Sequence, residues 1–290
     1  MADFMPSMSR KSVFVNNVNI NLWVGGSGPP ILLLHGYPQT GQMWRKVVPE
    51  LIKEFTVVCP DLRGYGDSDK PRDGYDKRTM AKDVADLMTH LGHDVYTVAG
   101  HDRGARVAHR LALDYAESVR RVVVMDIVPT HTVFAKTNKI LATTYWHWFF
   151  FQALDLPETM ISNSPEEFLR YVLRSWSTKS DFIKEEVFQE YLRAFKLPGT
   201  IRATLEDYRA AASVDLQHDE EDLDKKIECP LLALWSGTNK TMEVFDVLES
   251  WREKANDVRG QALVSGHFIP EEIPRDLLEI MLPFIKGIND

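Results

Sequence analysis

The sequence predicts an α/β protein, a mostly parallel sheet flanked by helices with a helical cap inserted into it. Two observations lead there. Short apolar runs rich in β-branched residues recur along the chain, and from "ILLLHG" onward helix-length segments such as 41–54, 77–92 and 103–117 separate most of them. Continuous apolar runs between helices indicate parallel strands buried on both faces. The alternation then breaks between about Thr130 and His218, where "TTYWHWFFFQAL", "VFQEYLRAF" and "LEDYRAAA" have helical periodicity and many aromatic residues.

Taken in order, "SVFVNNV" and "INLWV" lie about two residues apart and read as an antiparallel hairpin at the sheet edge. "ILLLHG", "FTVVCP", "VYTVAG" and "RVVVMD" read as the next strands, and "PLLALWSG" and "QALVSG" as the last two. The expected division is a core formed by residues 1–129 and 217–290 and a cap spanning 130–216. Just after the cap, "DEEDLDKK" reads as a solvated helix face.

Of the 290 residues, 44% are apolar and 26% charged, as in an ordinary globular protein. A net charge of −8 argues against nucleic acid as a partner, and it means that an anionic substrate needs a local positive site. The two cysteines, Cys59 and Cys229, read as buried strand-end thiols rather than a disulfide framework, and no metal or cofactor is expected. The opening "MADFMPSMSRKSV" lacks the pattern of a signal peptide, and no apolar stretch reaches the length of a membrane span. A cytoplasmic protein with no membrane partner is expected.

"GHDRGAR", residues 100–106, follows the run "VYTVA" and has the frame of a nucleophile elbow, with Asp102 where serine is usual. Asp126 closes "RVVVMD" and His267 follows "QALVSG", so nucleophile, acid and histidine all stand at strand carboxyl ends, in the chain order of an α/β-hydrolase triad. Glu243 and Asp246 fall too late after "PLLALWSG" to serve as the acid. The loop His35–Pro38 is placed to offer a backbone N–H to an anion hole, with Arg103 N–H as the second donor. A carboxylate nucleophile gains little from attacking an ester carbonyl. On a saturated carbon bearing a leaving group it gives a stable alkyl ester, which water activated by His267 can hydrolyse. At about 100° per helical residue, Arg106 points between Asp102 and Arg103, so both arginines can face the pocket as a fork for a substrate carboxylate. Arg110, a turn deeper, reads as structural.

The motifs "HGYPQT", "DLRGYGDSDKP", "GHDRGAR", "MDIVPT", "YWHW", "EDYRAAA" and "SGHF" resemble those of the haloacetate and fluoroacetate dehalogenases of the α/β-hydrolase superfamily. That resemblance implies Asp102 as nucleophile, His267 as base and Asp126 as triad acid, with Arg103 and Arg106 on the substrate carboxylate. It further implies a halide cradle of His147, Trp148 and Tyr208, a pocket lined by Tyr37 and Trp176, a small haloacid as substrate, and a homodimer. Tyr37 stands at a position that is usually phenylalanine in that family. The runner-up is an epoxide hydrolase, with Tyr208 and Tyr145 protonating the alkoxide, although an arginine after the nucleophile is wasted on a neutral epoxide. His35 and His101 read as structural, Trp146 and Phe149–Phe151 as packing, and Glu271 and Glu272 as a solvated helix start.

Overall fold

The computed structural model describes residues 4–288. Eight strands form a single sheet: β1 (Ser9–Val15), β2 (Val18–Gly25), β3 (Pro30–Leu34), β4 (Thr56–Pro60), β5 (Tyr96–His101), β6 (Val119–Met125), β7 (Leu231–Ser236) and β8 (Val258–Leu263). Their order is β1-β2-β4-β3-β5-β6-β7-β8, antiparallel through β2–β4 and parallel from β4 onward. Asn16 and Asn17 link β1 to β2 at φ 45° and 62°, the paired positive values that a two-residue hairpin of this twist requires.

The sheet is buried on both faces, and its period of two shows directly. Leu32, Leu34, Val58, Val98, Val122 and Val124 face one side. There they meet α2 (Lys77–His90) and α3 (Arg103–Asp114), after the short α1 (Val48–Leu51). Ile31, Leu33, Val57, Val123, Leu232 and Leu234 face the other side, against Trp44, Val48, Leu51, Leu277 and Met281. Each continuous apolar run is thus two interleaved core faces.

Between β6 and β7 the described chain is helical: α4 (Thr130–Ala135), α5 (Lys139–Thr144), α6 (Trp146–Phe150), α7 (Leu156–Asn163), α8 (Pro165–Ser175), α9 (Glu185–Phe195), α10 (Thr200–Ala211) and α11 (Val214–Glu221). Helix α11 runs through the expected boundary at 216. The chain ends with α12 (Val247–Arg252), α13 (Ile269–Glu272) and α14 (Pro274–Lys286). Among the described residues no helix is long and apolar enough to cross a membrane.

Three expectations are corrected. Glu271 and Glu272 are 1% and 5% exposed rather than solvated. Arg45 grips Glu271 at 2.6 and 2.7 Å, and Glu272 accepts backbone N–H groups around His267, so both acids are buried because they are paired. In "DEEDLDKK", Asp219 and Asp222 turn inward to Arg110, at 3.1 and 2.5 Å. Cys59 is buried and free as expected, but the equally free Cys229 is only half-buried.

Candidate active site

The turn from β5 into α3 places Asp102 at φ 50° and ψ −116°, a conformation that a side chain adopts only when its surroundings enforce it. Gly104 enforces it in part. A Cβ there would lie 2.2 Å from the His35 carbonyl oxygen, so the elbow can press against the β3 loop only without a side chain. Across that contact Tyr37 N–H donates to Asp102 Oδ1 at 2.9 Å, leaving Oδ2 directed at His267, whose Nε2 stands 3.8 Å away. His267 Nδ1–H donates to Asp126 Oδ2 at 2.6 Å, and Ser236 N–H holds Asp126 Oδ1 at 2.8 Å. Glu243 is exposed, and Asp246 caps α12 through Glu249 N–H.

Burial alone would raise the Asp102 carboxyl, but His267, His101, Arg103 and the Tyr37 N–H outweigh it and hold it below the usual carboxylate value. Burial presses His267 down, yet the Asp126 hydrogen bond and charge, with Asp102 and Glu272 behind them, raise it above its ordinary value. The arrangement sets an ionised carboxylate beside an oriented imidazole, the state that a carboxylate nucleophile and its base require. His35 and His101 are structural. His35 Nε2 accepts from Leu62 N–H at 2.9 Å, and His101 Nε2–H donates to the His267 carbonyl at 2.7 Å. Burial lowers both to about 4, so both are neutral.

The cap closes over this triad. A cavity of about 440 Å³ is lined by Asp102 and His267 below and by Tyr145, His147, Trp148 and Trp176 above. Trp146, expected to be packing, lines it as well. Phe151 does pack, fully buried, whereas Phe149 is exposed. Tyr145 stacks on Trp148 at 5.4 Å, and Tyr208 stands edge-on to His147 and Trp148 at 5.6 and 5.7 Å. Burial brings His147 down to about 3, leaving a neutral ring. His147 Nδ1, the Tyr208 hydroxyl and the Tyr37 hydroxyl are buried without hydrogen-bond partners.

The two arginines prove unequal. Arg103 is fully buried and donates through Nε and Nη2 to Asp207 Oδ1 at 3.1 and 2.6 Å, with a third bond to the Asp207 carbonyl at 2.8 Å. Only its Nη1 is unpaired. Asp207 also takes Lys77 Nζ and the Tyr65 hydroxyl. Burial would raise Asp207, but Arg103 and Lys77 hold it well below the carboxylate range. Arg106, 3% exposed, has no carboxylate partner. Its Nη1 donates to the Val128 carbonyl and Thr130 Oγ1 at 3.0 and 2.9 Å, its guanidinium stacks over Trp148 at 4.6 Å, and Nε and Nη2 are unpaired. The symmetric fork read from the helix angle is therefore one neutralised arginine and one uncompensated arginine. Asp207 was missed although "EDYRAAA" contains it, because nothing in helical spacing says that an acid on α10 turns toward α3.

One trio of ligand-type groups among the described residues, Asp76, Asp215 and His218, lies where α2 meets α11. Lys77 already occupies it, with N–H on Asp215 Oδ1 at 2.7 Å and Nζ 3.6 Å from Oδ2.

The fold and triad define an α/β hydrolase, and the alpha/beta hydrolase fold family matches residues 29–273; the chain belongs to that family. Within it, the chain is 38% identical to a fluoroacetate dehalogenase from Burkholderia sp over 284 residues, covering 96% of this chain and 93% of that one. It is 36% identical to a soluble epoxide hydrolase from Corynebacterium sp. (strain C12), covering 97% and 99%. The structure of an α/β-hydrolase-like protein from Nostoc sp PCC 7120 superposes with a TM-score of 0.95 at 46% identity, covering 97% of this chain and 99% of that one.

Proposed function

We propose that this α/β hydrolase is a cytoplasmic haloacetate dehalogenase, converting fluoroacetate or chloroacetate to glycolate and halide through an ester on Asp102. The observation that supports this most directly is Arg106. A buried guanidinium without a carboxylate is costly, and an anionic substrate bound beside Asp102 supplies the missing charge. A neutral epoxide leaves that charge stranded.

In the proposed reaction the substrate carboxylate takes the open Arg106 donors and Arg103 Nη1. Asp102 Oδ2 attacks the adjacent carbon, forming the C–O bond as the C–halogen bond breaks and the halide leaves with the electron pair. His147, Trp148 and Tyr208 surround the departing halide with neutral donors. His267 Nε2 then removes a proton from water, whose oxygen attacks Asp102 Cγ. Charge develops on Oδ1, where the Tyr37 N–H already points. Collapse of this intermediate leaves Asp102 as the carboxylic acid, which returns to the carboxylate by releasing the second water proton to solvent. Glycolate leaves with the former Oδ2 atom and the proton held by His267.

The second reading, epoxide hydrolysis, draws on the Tyr145 phenol at the pocket, on the buried Tyr208 phenol beside His147 and Trp148, and on the similarity to the Corynebacterium enzyme. Parallel assays of chloroacetate, chloroacetamide and styrene oxide decide between them. Halide release from chloroacetate far exceeding that from the amide is the expected result. Diol from styrene oxide without halide from chloroacetate overturns it.

A further inference from the structure

The loop carrying His267 is held by a residue with no part in the chemistry so far. Gly266 N–H and Phe268 N–H donate to Glu272 Oε2 and Oε1 at 3.0 and 3.1 Å. The N–H between them, that of His267, donates instead to the Trp176 carbonyl of the cap at 2.8 Å. Glu272 Oε2 reaches the same cap segment, accepting from Thr178 N–H at 3.1 Å and from its hydroxyl at 2.9 Å. Four donors thus converge on one carboxylate that is 5% exposed. The fit leaves no slack. A Cβ on Gly266 would lie 2.6 Å from Thr178 N, 2.7 Å from Glu272 Oε1 and 2.8 Å from Ser177 Cα. The Trp176 indole completes the join, edge-on to the His267 imidazole at 5.4 Å.

Asp102 depends on none of this. The elbow backbone and the Tyr37 N–H hold it. Nucleophile and base are therefore fastened to the cap at different points, the elbow through Arg103 on Asp207 of α10 and the base loop through Glu272 and Trp176, while His101 Nε2–H on the His267 carbonyl joins the two.

We propose that Glu272 is the positioning residue for His267, locking the base loop and cap segment 176–178 into one unit so that ester hydrolysis, and not alkylation, depends on it. The inference rests on the Asp102 ester and is indifferent to whether a halide or an epoxide oxygen leaves. Charge adds to geometry. Asp102, Asp126 and Glu272 all favour protonated His267, while the neutral His101 packs against its ring at 4.5 Å and the neutral His147 faces the same pocket.

Glu272→Gln replaces one acceptor oxygen with an NH₂ that confronts backbone N–H groups. With chloroacetate the variant should release its first equivalent of halide at the wild-type rate. Steady turnover should fall about 10- to 100-fold, with the carboxymethyl ester of Asp102 accumulating in the mass spectrum. Glu272→Asp should partly restore turnover, and the His267 imidazole should titrate lower in Glu272→Gln by NMR. Equal slowing of both steps, with no ester and an unmoved His267 titration, overturns the proposal. If the wild type forms no Asp102 ester with either chloroacetate or styrene oxide, the ester reading fails by itself, and the His267 titration still judges Glu272. Should Glu272→Gln not fold, Thr178→Val removes one of the four donors and should show the same split on a smaller scale. Uniform loss in that variant is equally fatal.

Discussion

On the core side of the pocket the side chains that orient the chemistry are paired. Asp126 holds His267 and is held by Ser236, Asp102 Oδ1 takes Tyr37 N–H, and Arg103 is neutralised by Asp207. On the cap side, and on Arg106 beneath it, the polar atoms have been left open: His147 Nδ1, the Tyr208 hydroxyl, and Arg106 Nε and Nη2. A buried polar group without a partner costs about 1–3 kcal/mol. The triad and most of Arg103 thus have their partners within the protein, whereas the open atoms of Arg106 and of the cap have none, and the proposed ligand would complete them. The largest expected effects come from breaking the first, the finer ones from altering the second.

Replacing His267 with asparagine removes the base and leaves the nucleophile and its anion hole. Turnover should fall about 10²–10⁴-fold while Asp102 is still alkylated, so the peptide containing Asp102 should gain a carboxymethyl group after haloacetate treatment. An unmodified Asp102 in the folded, substrate-saturated variant excludes the ester. The same separation should appear with pH in the wild type. The elevated His267 means that the base is lost as pH falls through a value above histidine's ordinary 6.5, whereas Asp102 stays ionised to below 3.8. Steady turnover should therefore fade on the acid side while the first equivalent of halide is still released. A burst and a steady rate that decline together would contradict the separate roles.

The cap donors come next. Tyr208→Phe keeps the ring and deletes one open hydroxyl, whereas Trp148→Phe deletes the indole N–H together with half of the ring that stacks on Tyr145. Removing one aimed donor from an anion site costs about 10²–10³ in rate. Fluoride concentrates its charge and leaves from a stronger bond, so fluoroacetate turnover should fall by that order and chloroacetate turnover by less. Equal proportional losses on the two substrates would mean that these residues only pack.

The arginines test the contrast within one helix. Arg106→Lys keeps the charge and loses the fork, weakening kcat/KM for chloroacetate by about 2–4 kcal/mol and for chloroacetamide much less. Arg103→Met loses the one open Nη1 donor and acts on the fold as well. It strips Asp207 of Arg103 and leaves it Lys77 and the Tyr65 hydroxyl, a loss of about 1.5–3 kcal/mol in chemical denaturation, whereas Arg106→Met takes a partner from no carboxylate and should cost less. The reverse ranking would show that the uncompensated charge has been assigned to the wrong arginine.

These contrasts also mark how far the chain could be read without coordinates. The eight strands, the hairpin edge and the elbow were legible because each is a local statement: period, turn residues, or a glycine against a backbone. The triad was legible because open α/β sheets collect functional residues at strand ends, which turns three positions far apart in sequence into one place. The cap was visible only as helical periodicity, and its site residues only through resemblance, because nothing local distinguishes Trp148 at the cavity from Phe151 in the packing. The buried ion pairs were not legible at all. Asp207 with Arg103, and Glu271 with Arg45, join elements more than a hundred residues apart, and their acids look the same as solvated ones in the sequence.

The smallest effect expected is at Tyr37, which separates an open donor that serves a ligand from one that does not. Its ring stands perpendicular to Tyr208 at 5.4 Å, and both hydroxyls are buried and unpaired. The Tyr37 backbone is in the site, since its N–H holds Asp102 Oδ1, but its ring, expected to line the pocket, is packed among Phe151, Trp176 and Phe195 and, like that of Tyr208, does not line the cavity. Tyr37→Phe leaves that N–H in place and removes a hydroxyl that has no partner. Stability should hold or rise, by at most about 1–3 kcal/mol, the usual penalty of an unsatisfied buried group. Catalysis should change less than tenfold, about 1.4 kcal/mol, on fluoroacetate and chloroacetate alike. If Tyr37→Phe instead loses fluoroacetate turnover as steeply as Tyr208→Phe does, the cradle contains a phenol from the core, and the donors completed by the ligand extend beyond Arg106 and the cap.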